Sequence, residues 1–257
     1  MSEATLSKEQ ALRKYLLRMG DNAVILSQRL SEWVGHGPEL EEEMAMANFA
    51  LDLVGQARMM YSQAAELEGQ GRSEDDIAFL RDSADFTNLL LLEQPNGDFG
   101  ETITRLVLFE LFYSLQLDAL ENCSAPSLAA IASKARKESD YHLRHSAHWL
   151  VRLGDGTEES HRRVQESLDR LWCYTGEMFE ADAVDRLVQD AWNGPDLDQL
   201  KTSWQSMLHE ILARATLRKP EDQWMDGGGK QGNHSEHLGY ILAEMQFLQR
   251  AYPGASW

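Results

Sequence analysis

The sequence predicts an all-α protein: a bundle of four long helices with additional helices towards the C-terminal end. Three observations carry this. Apolar residues recur at helical spacing through most of the 257 residues. The punctuation between periodic stretches is short and made of glycine, proline, serine and acidic residues. No segment reads as a strand.

Ser7-Lys8-Glu9-Gln10 has the form of a capping box and opens a helix running to about Trp33. Gly35-His36-Gly37-Pro38 breaks it, and Pro38 suits the first turn of a second helix from about Glu39 to Glu68. The apolar face of that helix is read as including Met44, Leu51, Val54 and Tyr61. Gly69 and Gly71 stop it, and Ser73-Glu74-Asp75-Asp76 starts a short helix to about Asp82. The apolar run Phe86 to Leu92 ends in the turn Gln94-Pro95-Asn96-Gly97-Asp98. A third long helix then extends from about Asp98 to Asn122. Ser124, Pro126 and Ser127 open a fourth, which ends at Gly154-Asp155-Gly156. Helical patterns return over Thr157 to Tyr174, Glu180 to Trp192, Asp196 to Leu217 and Ser235 to Tyr252. The polar, glycine-rich segment between Arg218 and Asn233 reads as a surface loop. Four of the helices are about 23 to 30 residues long, beyond the usual ~10–14, and long helices with short joints bury their apolar stripes against one another. The expectation is one domain over residues 1–257, with a core bundle at about 7–153 and accessory helices at about 157–252.

The formal net charge of −18 argues against nucleic acid, whose binding draws affinity from neutralised phosphates. It also argues against coenzyme A or nucleotides as ligands of this chain alone. Two cysteines outside any CxxC pair, Cys123 and Cys173, predict neither a disulfide framework nor a zinc site. The start MSEATLSKEQ lacks a basic region followed by an apolar one, and no apolar run approaches the ~18–20 residues that span a bilayer. A cytoplasmic protein without membrane contact is expected.

Long bundles can hold two irons between carboxylates of two helices and a Glu-x-x-His pair from each of the other two, because positions three apart share a face. This sequence has the layout without the ligands. Asp21 stands in an apolar surface of the first helix, and Asp52-Leu53-Val54-Gly55 puts glycine where the histidine belongs. Glu110 lies inside the apolar run Leu106 to Tyr113. Glu138-Ser139-Asp140-Tyr141 has tyrosine in the histidine position, and His142 comes one residue late. One residue is a rotation of about 100°, which would turn His142 away from a metal shared with Glu138. No metal is therefore expected here. Asp21, Asp52, Glu110 and Glu138 are expected to converge in the core as a degenerate site, with Arg58, Arg105 and Lys134 as available counter-ions. His142, His145 and His148 spread around the helix and read as a polar interface. Gly227-Gly228-Gly229-Lys230 continues with Gln231 and follows no strand, so it is not a phosphate loop. His234 precedes the last helix, whose series Leu238, Ile241, Leu242, Met245, Leu248 reads as core.

Several long blocks, in order and over nearly the whole chain, resemble one family. They include Gln28-Arg29-Leu30-Ser31-Glu32-Trp33, Gly35-His36-Gly37-Pro38-Glu39-Leu40-Glu41-Glu42 and Ala50-Leu51-Asp52-Leu53-Val54-Gly55-Gln56-Ala57-Arg58. Glu93-Gln94-Pro95-Asn96-Gly97-Asp98-Phe99, Tyr141-His142-Leu143-Arg144-His145-Ser146 and Glu244-Met245-Gln246-Phe247-Leu248-Gln249-Arg250 continue the match. The family is that of the C subunits of bacterial 1,2-phenylacetyl-CoA epoxidases. The resemblance implies a ferritin-like fold, no cofactor in this chain and a supporting role beside a homologous catalytic subunit that carries the di-iron centre. It further implies other epoxidase components, including an NADPH-dependent reductase, and leaves room for a homodimer. The face that meets the partner is expected on the first or second helix. Competing readings are a self-sufficient di-iron oxygenase and a metal-free scaffold outside such a complex.

Overall fold

Most helices begin where a polar side chain takes over the orphan amides of the first turn. In the computed structural model, which describes residues 6–221 and 224–255, the predicted capping box opens α1 (Lys8–Ser31). Ser7 Oγ accepts from the Gln10 amide, and Gln10 Oε1 accepts from the Ser7 amide at 2.9 Å. The second helix, α2 (Leu40–Glu68), ends at Gly69 with φ +68°, a conformation that glycine adopts without strain. Two short helices follow, α3 (Glu74–Phe79) and the single turn α4 (Leu90–Glu93). Asp98 caps α5 (Phe99–Glu121), and Pro126 occupies the first turn of α6 (Pro126–Gly154). The remaining helices are α7 (Glu158–Leu171), α8 (Ala183–Trp192), α9 (Leu197–Arg214), α10 (Glu236–Met245) and α11 (Phe247–Ala251). The described residues contain no strand, and no helix among them is long and apolar enough to cross a membrane.

The bundle is two helical hairpins, α1 with α2 and α5 with α6, joined where α2 meets α6. Gly20 allows the first pair to close, since a Cβ there would lie 2.5 Å from the Tyr61 ring. The other side of α1 is covered by α8, α4 and α10, so this helix is buried almost all round. In the same way α7 and α9 cover α5. Trp204 of α9 is buried against Trp172 and Phe179 and donates Nε1 to the Leu108 carbonyl at 3.0 Å. One continuous core therefore joins the bundle to its accessory helices.

Two segments differ from the sequence reading. The expected last helix is broken at Gln246, whose buried side chain donates to the carbonyls of Ala78 (3.1 Å) and Arg81 (3.0 Å). Leu238, Ile241 and Leu242 are core, whereas Leu248 beyond the break is exposed. The glycine-rich segment, apart from residues 222–223 which lie outside the described residues, is the expected surface loop but is tied into the fold as a strap. The amides of Gly228 (3.0 Å) and Lys230 (3.1 Å) donate to Glu177 Oε1, and the Leu90 amide donates to Oε2 at 3.0 Å. Gly229 passes so near that a Cβ would lie 2.3 Å from the Asn88 carbonyl oxygen. These amides, the raw material of an anion cradle, are spent on an internal carboxylate. Glu177→Gln is expected to lower stability by about 2 kcal/mol, since hydrogen bonds to charged acceptors are worth ~1.5–3 kcal/mol. A urea melt checks this; an unmoved midpoint would contradict the anchoring role.

Candidate functional site

The interior stripe of α6 is Ala135, Ser139, His142, Ser146 and Leu150, all buried, at spacings of three or four. Two of these residues reach the same acid on α5. Ser139 Oγ donates to Glu110 Oε2 at 2.6 Å, and His142 Nδ1 faces Glu110 Oε1 at 3.2 Å. The other ring nitrogen, Nε2, faces Asp52 Oδ2 of α2 at 3.1 Å. Glu110 and His142 have no exposed side-chain surface, whereas the Asp52 side chain is 39% exposed, so this chain of contacts runs from the bundle centre to the α2–α6 surface. The Phe49 ring lies against the imidazole with centroids 4.1 Å apart.

A neutral imidazole has one N–H and would leave its other nitrogen lone pair against a carboxylate oxygen. Burial opposes the charged ring, but the charge and hydrogen bond of Glu110 and the hydrogen bond of Asp52 outweigh it, and the His142 pKa is raised. A raised folded-state pKa stabilises fully below the unfolded value of about 6.5 and is lost as pH rises through the folded value. His234, between Glu93 Oε2 (2.9 Å) and the Phe86 carbonyl (2.9 Å), is also raised: burial opposes its charge and these partners prevail. The thermal midpoint is therefore expected to fall from about pH 6.5 upwards. The ring signals of His142 in an NMR titration should move above the usual value; titration at or below it would contradict a charged bridge.

Glu138 accepts from Gln56 Nε2 at 2.8 Å, and Gln56 Oε1 accepts from Tyr113 Oη at 2.9 Å. Burial, then the charges of Glu110 and Glu138, raise the Tyr113 pKa, which places both acids near one phenol. Asp21 is elsewhere. It accepts from Tyr61 Oη (2.7 Å), the Thr87 amide (2.8 Å) and Thr87 Oγ1 (3.0 Å), and pairs with the buried guanidinium of Arg81. The expected convergence of four acids is thus corrected to three around α2, α5 and α6, with Asp21 in a separate ion pair.

The expected counter-ions are corrected too. Arg58 pairs with Glu74 at the surface, at 3.0 Å, and Lys134 is exposed. Arg105 is buried and forms no ion pair among the described residues, donating to the Gln94 carbonyl and Asn96 Oδ1. Burial, and then the nearby Arg29, bring its pKa down to about 10. Arg81 supplies the counter-charge to Asp21, and His142, with its pKa raised, stands between Glu110 and Asp52. His142 and Glu138 reach different partners: His142 shares the inward face with Ser139, while Glu138 is turned aside towards Gln56. The other two histidines of the series face outward in turn, His145 half-buried against Glu42 (2.9 Å) and His148 exposed.

The donor set does not fit a di-iron centre. Two irons need donors that converge on common points. Here the two carboxylates sit on opposite edges of the cluster's imidazole and occupy both its nitrogens, Glu138 is satisfied by an amide, and Asp21 is committed to Arg81. Four long helices with inward acids, organised around a buried imidazole, define a ferritin-like bundle. The chain belongs to the family described as "Phenylacetic acid catabolic protein", whose model matches residues 2–257. It is 48% identical over 246 residues to the C subunit of the 1,2-phenylacetyl-CoA epoxidase of Escherichia coli strain K12, covering 96% of this chain and 99% of that protein.

Proposed function

We propose that the chain is the supporting, non-catalytic subunit of a cytoplasmic phenylacetyl-CoA 1,2-epoxidase, paired with a homologous subunit that carries the di-iron centre. In this reading the partner binds the CoA ester, a separate NADPH-dependent reductase supplies electrons, and this chain supports the assembly. The observation that carries it is the His142 bridge between Glu110 and Asp52, in which an imidazolium supplies the positive charge that a metal would bring to buried carboxylates.

The outer face of α2 supports pairing. The residues read as its apolar face prove, Tyr61 apart, to be exposed: Met44 by 57%, Leu51 by 68% and Val54 by 45%. With Leu40 they form a stripe about 21 Å long, at 1.5 Å per residue. A second, inward stripe of Phe49, Leu53, Ala57, Met60 and Tyr61 holds the bundle together. Of the two helices expected to meet a partner, α1 is enclosed, which leaves α2. A groove of about 580 Å³ between α2 and α6, lined by Met59 and Ile131, extends the same surface. Stable pairs bury roughly 2,000 Å² or more, within reach of two homologous bundles face to face.

Mixing the purified chain with the homologous di-iron subunit, reductase and remaining components tests the proposal. A stable pair, with ring epoxidation that needs both bundles, is expected. Failure to pair, or full activity from the catalytic subunit without this chain, would refute it.

A further inference from the structure

The chain has 42 acidic and 24 basic residues, yet six cations meet at one cavity. Arg13, Lys14 and Arg18 of α1, Arg72 beyond α2, Arg81 beyond α3 and Lys230 of the strap line a half-enclosed space of about 640 Å³. The charges do not cancel evenly along it. At the inner end Arg18 faces Asp182 (2.6 Å) and Asp185 (3.0 Å), Lys230 faces Asp185 (3.3 Å), and Arg81 is matched by Asp21. At the α1–α2 end one carboxylate serves two guanidinium groups: Glu68 pairs with Arg13 and accepts from Arg72 Nε (2.6 Å) and Nη2 (2.8 Å). That corner keeps one surplus positive charge. Lys14 is exposed, makes no ion pair among the described residues, and adds a second. The remaining acid on the lining, Asp85, is exposed and accepts from the Asp82 amide at 3.2 Å, which leaves a surplus of one positive charge over the whole cavity.

Four donors at the positive end have no acceptor among the described residues: Lys14 Nζ, Arg13 Nε, Arg13 Nη1 and Arg72 Nη1. We propose that this cavity binds a phosphate-bearing small molecule, with the phosphate held by Lys14, Arg13 and Arg72. A phosphate monoester carries about −1.5 to −2 charges at neutral pH, and the corner offers three cations against the single paired carboxylate of Glu68. Guanidinium groups present paired N–H donors that suit phosphate oxygens. The volume lies within the ~300–1,000 Å³ of small-molecule sites and exceeds what a bare phosphate needs. Leu17, Thr87 and Gln231 line the rest of it, an apolar and neutral polar surface for the organic part. The global charge of −18, which argues against anionic ligands for the chain as a whole, is locally reversed here.

Isothermal titration of the full chain with ADP, at low salt, tests this. One saturable site per chain is expected, weakened at least about tenfold by Lys14→Glu, a reversal of charge on an exposed side chain. Glu68→Gln, which removes the shared carboxylate, is expected to leave binding intact or tighten it. Inorganic phosphate should displace ADP. Absence of binding, an unchanged affinity in a folded Lys14→Glu variant, or failure of phosphate to compete would each overturn the proposal. Lys14→Glu weakening pairing with the catalytic subunit, with no ADP bound by either form, would make the cavity a protein contact instead.

Discussion

His142→Ala is expected to destabilise the chain by about 3–5 kcal/mol, the cost of removing one partner from a buried ion pair. Glu110 has no exposed surface, and Ser139 alone would remain to satisfy a carboxylate deep in the bundle. The lost ring also removes the nearest of three ring contacts to Phe49. The double change His142→Ala with Glu110→Gln should recover part of the loss, because the uncompensated charge goes with its partner. Urea unfolding measures both. A loss below about 1 kcal/mol for the single change would mean that Glu110 is not held as a buried anion.

The sequence made this bundle legible where local chemistry decides. Ser7, Gly69, Asp98 and Pro126 mark helix ends through caps and backbone geometry, and each end lies within a few residues of its expected place. It was less legible on faces. The inward stripe of α6 is built from Ser139, His142 and Ser146, polar residues that hide a core-facing stripe from any apolar pattern. In α2 the difficulty is opposite, since apolar residues occupy both an inward and an outward stripe and periodicity cannot rank them. Spacing of three between Ser139 and His142 was the available sign that they share a face. The Asp21–Arg81 pair carried no such sign, because the arginine arrives from a loop 60 residues on. Helical period assigns faces, not the distant segment that covers them.

The largest effect on assembly is expected from Leu51→Asp combined with Val54→Asp. Both side chains are exposed in the free chain, so folding should change little, with the thermal midpoint held within a few degrees. Placed in an interface centre, two unpaired carboxylates replace apolar contacts worth ~2 kcal/mol or more where they act as anchors. Pairing with the catalytic subunit should weaken by at least about a hundredfold. Sedimentation or surface-binding measurements on the folded variant decide it. Unchanged affinity would move the partner to another face, such as the exposed Phe247 and Leu248 of α11.

Whether this chain supports iron chemistry without holding iron is tested most directly by iron content. The purified chain and its complex with the homologous catalytic subunit should be measured side by side after growth with added iron. Near-zero iron in the chain alone, with iron in the complex at the level of the catalytic subunit, is the expected result. About two coupled irons per isolated chain, the complement of a di-iron bundle, would contradict it and make this subunit an oxygenase in its own right.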